Sequence, residues 1–108
     1  MTNLNVTDAA NSSEIRLHMG DELTVRLESI PGTGYSWEVS RDTGEVLSQL
    51  DEPVYEKVQQ PKLGGVQLQV FRFRAQLSGV HRLRLEYRRP WDKTGPGKKV
   101  FSITVIVN

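Results

Sequence analysis

A chain of 108 residues has the length of one domain and can bury a real core without metal or disulfide support. Lysine plus arginine number 14 and aspartate plus glutamate 13, a net charge of +1 that gives no support to a general polyanion binder. With no cysteine there is no disulfide framework, thiolate nucleophile or cysteine-based metal site.

The first 13 residues are polar and aperiodic, and are expected to form a flexible tail before a single domain over 14–108. Met1–Thr7 has neither a basic n-region nor an apolar h-region. The expectation is a cytoplasmic protein, or a periplasmic or secreted one if a leader was trimmed. No run is long and apolar enough to span a bilayer, so no membrane partner is expected.

Ile15, Leu17 and Met19 alternate with Arg16 and His18, a short strand. After Gly20-Asp21, Leu23, Val25 and Leu27 alternate with polar residues, a second strand with one buried face. Ser29–Gly34 breaks it with Pro31, Gly32 and Gly34. Tyr35, Trp37 and Val39 then mark a third strand, with Trp37 facing the core. Over 41–52 the spacing of Val46, Leu47 and Leu50 admits one helical turn. Val54, Glu56 and Val58 alternate with Tyr55 and Lys57, another short strand, and 59–65 is a loop.

Val66, Leu68 and Val70 are apolar at even positions, whereas Phe71, Phe73, Ala75 and Leu77 are apolar at odd ones. This phase change predicts a bulge or a strand serving two faces. Residues 80–88 and 100–107 are two further alternating strands, and they flank a loop that carries Trp91. About seven to eight short strands with regular turns predict an all-β, immunoglobulin-like antiparallel β-sandwich.

Chemistry is sparse. His18 and His81 lie far apart in strand patterns, and Glu38, Glu56 and Glu86 read as isolated residues on solvent faces. No triad, carboxylate pair or metal-ligand cluster can be assembled, so no catalytic residue, metal or cofactor is expected and the chain reads as a non-enzyme. Arg72, Arg74, Arg82, Arg84 and Arg88 form outward rows. In an immunoglobulin-like order they fall on opposite sheets, which argues against nucleic acid.

Three loops remain: 29–34, 60–65 and 88–97. In an up-and-down sandwich they share one end, and each combines glycine, proline and an apolar residue. A large ring such as Trp91 in a loop reads as a contact residue, and together the loops read as a binding edge. An alternative use of the same edge is a non-inhibitory immunoglobulin-like module for carbohydrate or protein recognition.

The ordered motifs Ile30-Pro31-Gly32-Thr33-Gly34-Tyr35, Lys62-Leu63-Gly64-Gly65 and Arg89-Pro90-Trp91 carry a resemblance. Over about residues 14–107 the chain resembles the chagasin-like inhibitors of papain-type cysteine proteases. Their pattern is Asn-Pro-Thr-Thr-Gly-Tyr, then Gly-x-Gly-Gly, then Arg-Pro-Trp. Ile30, Gly32 and Lys62 depart from that pattern. The resemblance implies a reversible, competitive, tight-binding inhibitor, monomeric when free, whose partner is a papain-like, cathepsin-type cysteine protease. It implies that Ile30, Pro31, Gly32, Thr33, Gly34 and Tyr35 enter the catalytic cleft, with Thr33 nearest the protease's cysteine and histidine. Leu63, Gly64, Gly65 and Val66 would pair along the non-primed side, and Arg89, Pro90 and Trp91 would pack on the primed side.

Overall fold

The computed structural model describes residues 2–40, 46–57, 65–92 and 97–108. Among these residues, nine strands form two facing sheets. The strands are β1 (Asn3–Thr7), β2 (Glu14–Leu17), β3 (Glu22–Ser29), β4 (Ser36–Val39), β5 (Leu47–Gln49), β6 (Val54–Lys57), β7 (Gln67–Ala75), β8 (Gly79–Arg88) and β9 (Lys99–Val107). One sheet has the order β1-β3-β7-β5, with β6 also on β7, and the other has the order β2-β9-β8-β4. The expected sandwich is present. The long central pairs are antiparallel, but β1–β3 and β2–β9 at the margins are parallel.

The alternation seen in the sequence sets the interior. Leu23, Val25 and Leu27 of β3 and Phe71, Phe73 and Ala75 of β7 face Leu83, Leu85 and Tyr87 of β8 and Phe101, Ile103 and Val105 of β9; all are buried. Trp37 on β4 is 5% exposed, as its strand phase predicts. Its indole Nε1–H donates to the Glu28 carbonyl at 2.9 Å, across to the other sheet.

Three sequence expectations differ from the structure. Residues 1–13 were expected to be a tail, yet β1 pairs with β3 from Asn3↔Glu22 to Thr7↔Arg26 and buries Val6 in the core. With only Leu4 and Val6 to alternate, its period is too short to stand out from a polar segment. The turn around Asp8–Ala10 then carries the chain to β2 in the opposite sheet, where it pairs in parallel with β9. The helical spacing at Val46, Leu47 and Leu50 gives way to β5, which adds to β7 with Leu47 opposite Ala75. Met19 is exposed, because β2 ends at Leu17 and Gly20 turns the chain at φ +92°.

The phase change in β7 is not a bulge, since the β3–β7 register runs unbroken from Glu22↔Arg74 to Ser29↔Gln67. The strand serves two faces. Val70 points outward between Arg26 of β3 and Val54 of β6, and Gln69 points inward. There the Gln69 amide replaces a ladder partner for β4, the edge strand of its sheet. The Trp37 N–H donates to Gln69 Oε1 and Gln69 Nε2 donates to the Trp37 carbonyl, both at 2.8 Å. One buried side chain therefore satisfies two backbone groups and ties the sheets together beneath the loop edge.

The arginine rows lie on opposite sheets, as expected, and most are engaged in ion pairs. Arg72 meets Glu22 and Asp51, and Arg74 meets Glu22. Exposed pairs of this kind add little stability but occupy the charge.

Candidate functional site

The first loop is built from its own sequence. Pro31 opens a single 3₁₀ turn over Pro31–Thr33, where its fixed φ fits and its missing N–H is not needed. The Thr33 N–H donates to the Ile30 carbonyl at 3.1 Å, and the Gly34 N–H to the Pro31 carbonyl at 3.0 Å. Gly34 closes the turn at φ +83°, a left-handed conformation that glycine adopts without a Cβ penalty. Thr33 braces the turn: its hydroxyl donates to the Ile30 carbonyl at 2.7 Å and accepts from the Tyr35 N–H at 3.3 Å. Below, the Ile30 N–H donates to the Tyr87 phenol oxygen at 3.0 Å. The loop is therefore braced by Thr33 and Tyr87, with Ile30 taking part through its backbone. Gly32 is exposed, and a Cβ there would meet nothing within 4 Å, so close packing does not require it.

The third loop is anchored at its base by Glu86, which the sequence placed alone on a solvent face. The side chain is instead half-enclosed. Its carboxylate accepts from the Gly97 N–H at 3.0 Å, the Arg88 guanidinium at 2.7 Å and the Ser40 hydroxyl at 3.1 Å. The Gly97 N–H is the largest influence on it. Burial opposes, Arg88 and Ser40 assist, and the carboxyl is held down to about 2. Glu38 and Glu56 also have partners, in Arg88 and Arg26. Gly97 is close-packed: a Cβ there would lie 2.9 Å from the Tyr87 carbonyl.

A pH prediction follows from Glu86. Its folded-state value lies below the ordinary 4.5, so its stabilisation is present above about pH 4.5 and is lost as pH falls toward 2. Glu86→Gln should cost roughly 1–2 kcal/mol at pH 7, a linkage value reduced for partial solvation. Denaturant unfolding across this range checks it: the gap between wild type and variant should close on acidification. A gap that stays constant to pH 2 would show that the charge on Glu86 contributes nothing.

The two loops meet. Trp91 is 72% exposed, yet its ring edge lies over Gly34, where a Cβ would come 3.0 Å from Cη2. The Arg89 guanidinium sits 4.8 Å from the centre of the Tyr35 ring and 5.9 Å from that of Trp91. Behind them Tyr35 stacks on Tyr87 at 5.4 Å, and Tyr87 packs on Trp37 at 5.1 Å. An aromatic column thus runs from the core to the loop edge. Burial is the strongest influence on the Tyr87 phenol and pushes it up. The Ile30 N–H, then the Ser29 and Thr33 hydroxyls and the Lys99 charge outweigh it, and the net direction is downward.

Of the sequence-predicted residues, Ile30–Tyr35 and Arg89–Trp91 converge on one end of the sandwich. Val66 joins them, lining the same cavity as Ile30, Thr33 and Arg89, and Gly65 precedes it at φ +70°. Leu63 and Gly64 lie outside the described residues. Sequence reasoning missed Tyr87 and Glu86, which hold the loops from beneath. Strand parity carried a signal for Tyr87, since it follows Leu83 and Leu85 on the inward face.

Known proteins resemble this chain in sequence and in fold. Residues 16–105 match the model of the chagasin family peptidase inhibitor I42. Chagasin of Trypanosoma cruzi is 30% identical over 103 residues, spanning 93% of this chain and 92% of that protein. The fold is similar to that of the cysteine protease inhibitor EhICP2 from Entamoeba histolytica, with a TM-score of 0.86 at 19% identity over 100% of this chain and 97% of that one. It is also similar to PbICP-C, solved in complex with falcipain-2, with a TM-score of 0.61 at 22% identity over 100% of both chains. The ordered loops, the sandwich that presents them and the match over most of the length agree: the chain belongs to the chagasin family of peptidase inhibitors.

Proposed function

We propose that this protein is a reversible, competitive, tight-binding inhibitor of papain-like cysteine proteases of the cathepsin type, acting as a monomer. In this reading Ile30–Tyr35 enter the active-site cleft, Leu63–Val66 lie along its non-primed side and Arg89–Trp91 cover its primed side. The observation that carries it is the packing of Trp91 on Gly34. That contact packs the first loop against Trp91 with no partner present. Pre-ordering lowers the entropic cost of docking, which is what tight inhibition requires. Thr33 spends its hydroxyl inside the loop and holds that loop as a 3₁₀ turn, not the extended strand that a protease cleft takes as substrate. Occlusion without a cleavable segment gives reversible competition, over roughly 800 Å² per partner.

A glycan-binding use of the edge is disfavoured by Tyr35. Its ring is stacked on Tyr87 and also carries the Arg89 and Lys98 cations, the latter with Nζ 5.0 Å from the ring centre. Trp91 is left as the exposed ring for stacking on a sugar.

Papain titrated with the protein tests the proposal. Stoichiometric loss of activity that recovers on dilution is the expected result. Full activity of papain and of a cathepsin-type panel would refute it. Gly34→Val probes the edge itself. The new Cβ meets Trp91 and the backbone resists φ +83°, so inhibition should weaken by about tenfold or more with the fold retained. Inhibition constants, with thermal unfolding as a control, check this; unchanged inhibition would mean that the loop contact is not needed for binding.

A further inference from the structure

Where the interior meets the loop edge, the inward rows of both sheets stop being apolar. On β3 the buried row Leu23, Val25, Leu27 ends in Ser29. On β8 the row ends in Tyr87, and opposite it the β9 row begins with Lys99 before Phe101. Ser29, Tyr87 and Lys99, with Tyr35, Arg89 and Lys98, line an open cavity of about 310 Å³.

Three cations gather there. Lys99 Nζ lies 5.7 Å from the centre of the Tyr87 ring, Lys98 Nζ 5.0 Å from that of Tyr35, and the Arg89 guanidinium 4.8 Å from the same ring. Among the described residues these three hold aromatic faces rather than carboxylates, whereas Arg26, Arg72, Arg74, Arg84 and Arg88 all form ion pairs. Among the described residues, Glu28 is the one acidic residue of the lining. In the wall, Ser29 is 1% exposed and its hydroxyl has no hydrogen-bond partner. It bears on the Tyr87 phenol, but outside hydrogen-bond geometry. A buried hydroxyl left unpaired is costly, and a ligand that accepts from it recovers that cost.

We propose that this recess is a binding site for a compact oxyanion, a carboxylate, phosphate or sulfate group. Lys98 and Lys99 supply the charge and Ser29 the buried hydrogen bond. Tyr35 and Tyr87 hold the cations without neutralising them, which an ion pair would do. The site lies between loops read above as entering a protease, so the oxyanion has two sources: an acidic group of the docked enzyme or a free anion.

The test uses the free protein first. Inorganic phosphate is titrated into isotope-labelled protein at fixed pH, with chloride holding ionic strength constant, and backbone amide shifts are followed. Wild type should show saturable shifts at Ser29, Ile30 and Lys99. A Lys98→Gln/Lys99→Gln double variant should bind about tenfold more weakly or worse, and Ser29→Ala should also bind more weakly. No saturable shift in wild type overturns the proposal. Equal saturation in the double variant also overturns it and means an adventitious ion only. This arm does not depend on inhibition, so it stands or falls apart from the protease reading. A second arm separates the sources by titrating papain in phosphate and in matched chloride. Phosphate that weakens inhibition by wild type but not by the double variant assigns the site to an acidic group of the enzyme. Inhibition that is unchanged or strengthened by phosphate assigns it to the free anion.

Discussion

Trp37→Ala should destabilise the protein by roughly 3–5 kcal/mol, the largest loss expected from any single truncation discussed for this chain. Three contributions disappear together. The indole fills the interior between the sheets at 5% exposure. It supports Tyr87 at 5.1 Å, and Tyr87 in turn supports Tyr35. Its N–H satisfies the Glu28 carbonyl, which is left without that donor when the ring is removed. The Gln69 bonds go to the Trp37 backbone and survive the substitution, so β4 should stay in place while the cavity opens beside it. The melting temperature should fall by more than about 10 °C. Trp37→Phe, which keeps most of the apolar volume and loses the hydrogen bond, should cost about 1 kcal/mol. Equilibrium denaturation of the two variants distinguishes the parts. An alanine variant as stable as wild type would mean that the ring does not face the core.

That Trp37 could be placed from sequence, while Glu86 could not, shows what a sequence carries. Inward parity is a local property: Tyr35-Ser36-Trp37-Glu38-Val39 announces its buried face within five residues, and β3, β8 and β9 do so equally clearly. Partnership across strands is not local. Glu86 finds Ser40 and Gly97 only through the β4–β8 register and the closure of the third loop, and nothing near it in the chain reports either. Gln69 is an intermediate case. The phase change around it was visible, but its pairing with the Trp37 backbone depends on how the two sheets face each other. β1 and β5 escaped because each offers too few alternating apolar residues, and because three-residue spacing at Val46, Leu47 and Leu50 fits a helix as well as a strand. The loop edge was legible for another reason. Its motifs are contiguous, and the up-and-down path of the strands brings the first and third loops and Val66 to one end, as the cavity they share reflects.

Trp91→Ala should leave folding nearly untouched and weaken inhibition of a papain-type enzyme by roughly 2 kcal/mol or more, about thirtyfold. The asymmetry comes from exposure. With 72% of the residue in solvent, the free protein gains little from the ring beyond its contact with Gly34 and the Arg89 guanidinium. Unfolding free energy should therefore change by no more than about 0.5 kcal/mol. In a complex the same ring would become the most desolvated group of the third loop, and tryptophans in that position dominate interface energetics. The loss should fall mainly on dissociation, because the first loop keeps its own turn, its Thr33 brace and its bond to Tyr87, and so remains shaped for encounter. Trp91→Phe should recover part of the affinity by keeping a ring over Gly34. Association and dissociation rates, measured beside thermal stability, decide the matter. If the alanine variant unfolds readily but inhibits normally when folded, Trp91 serves the fold and the binding edge must be sought elsewhere.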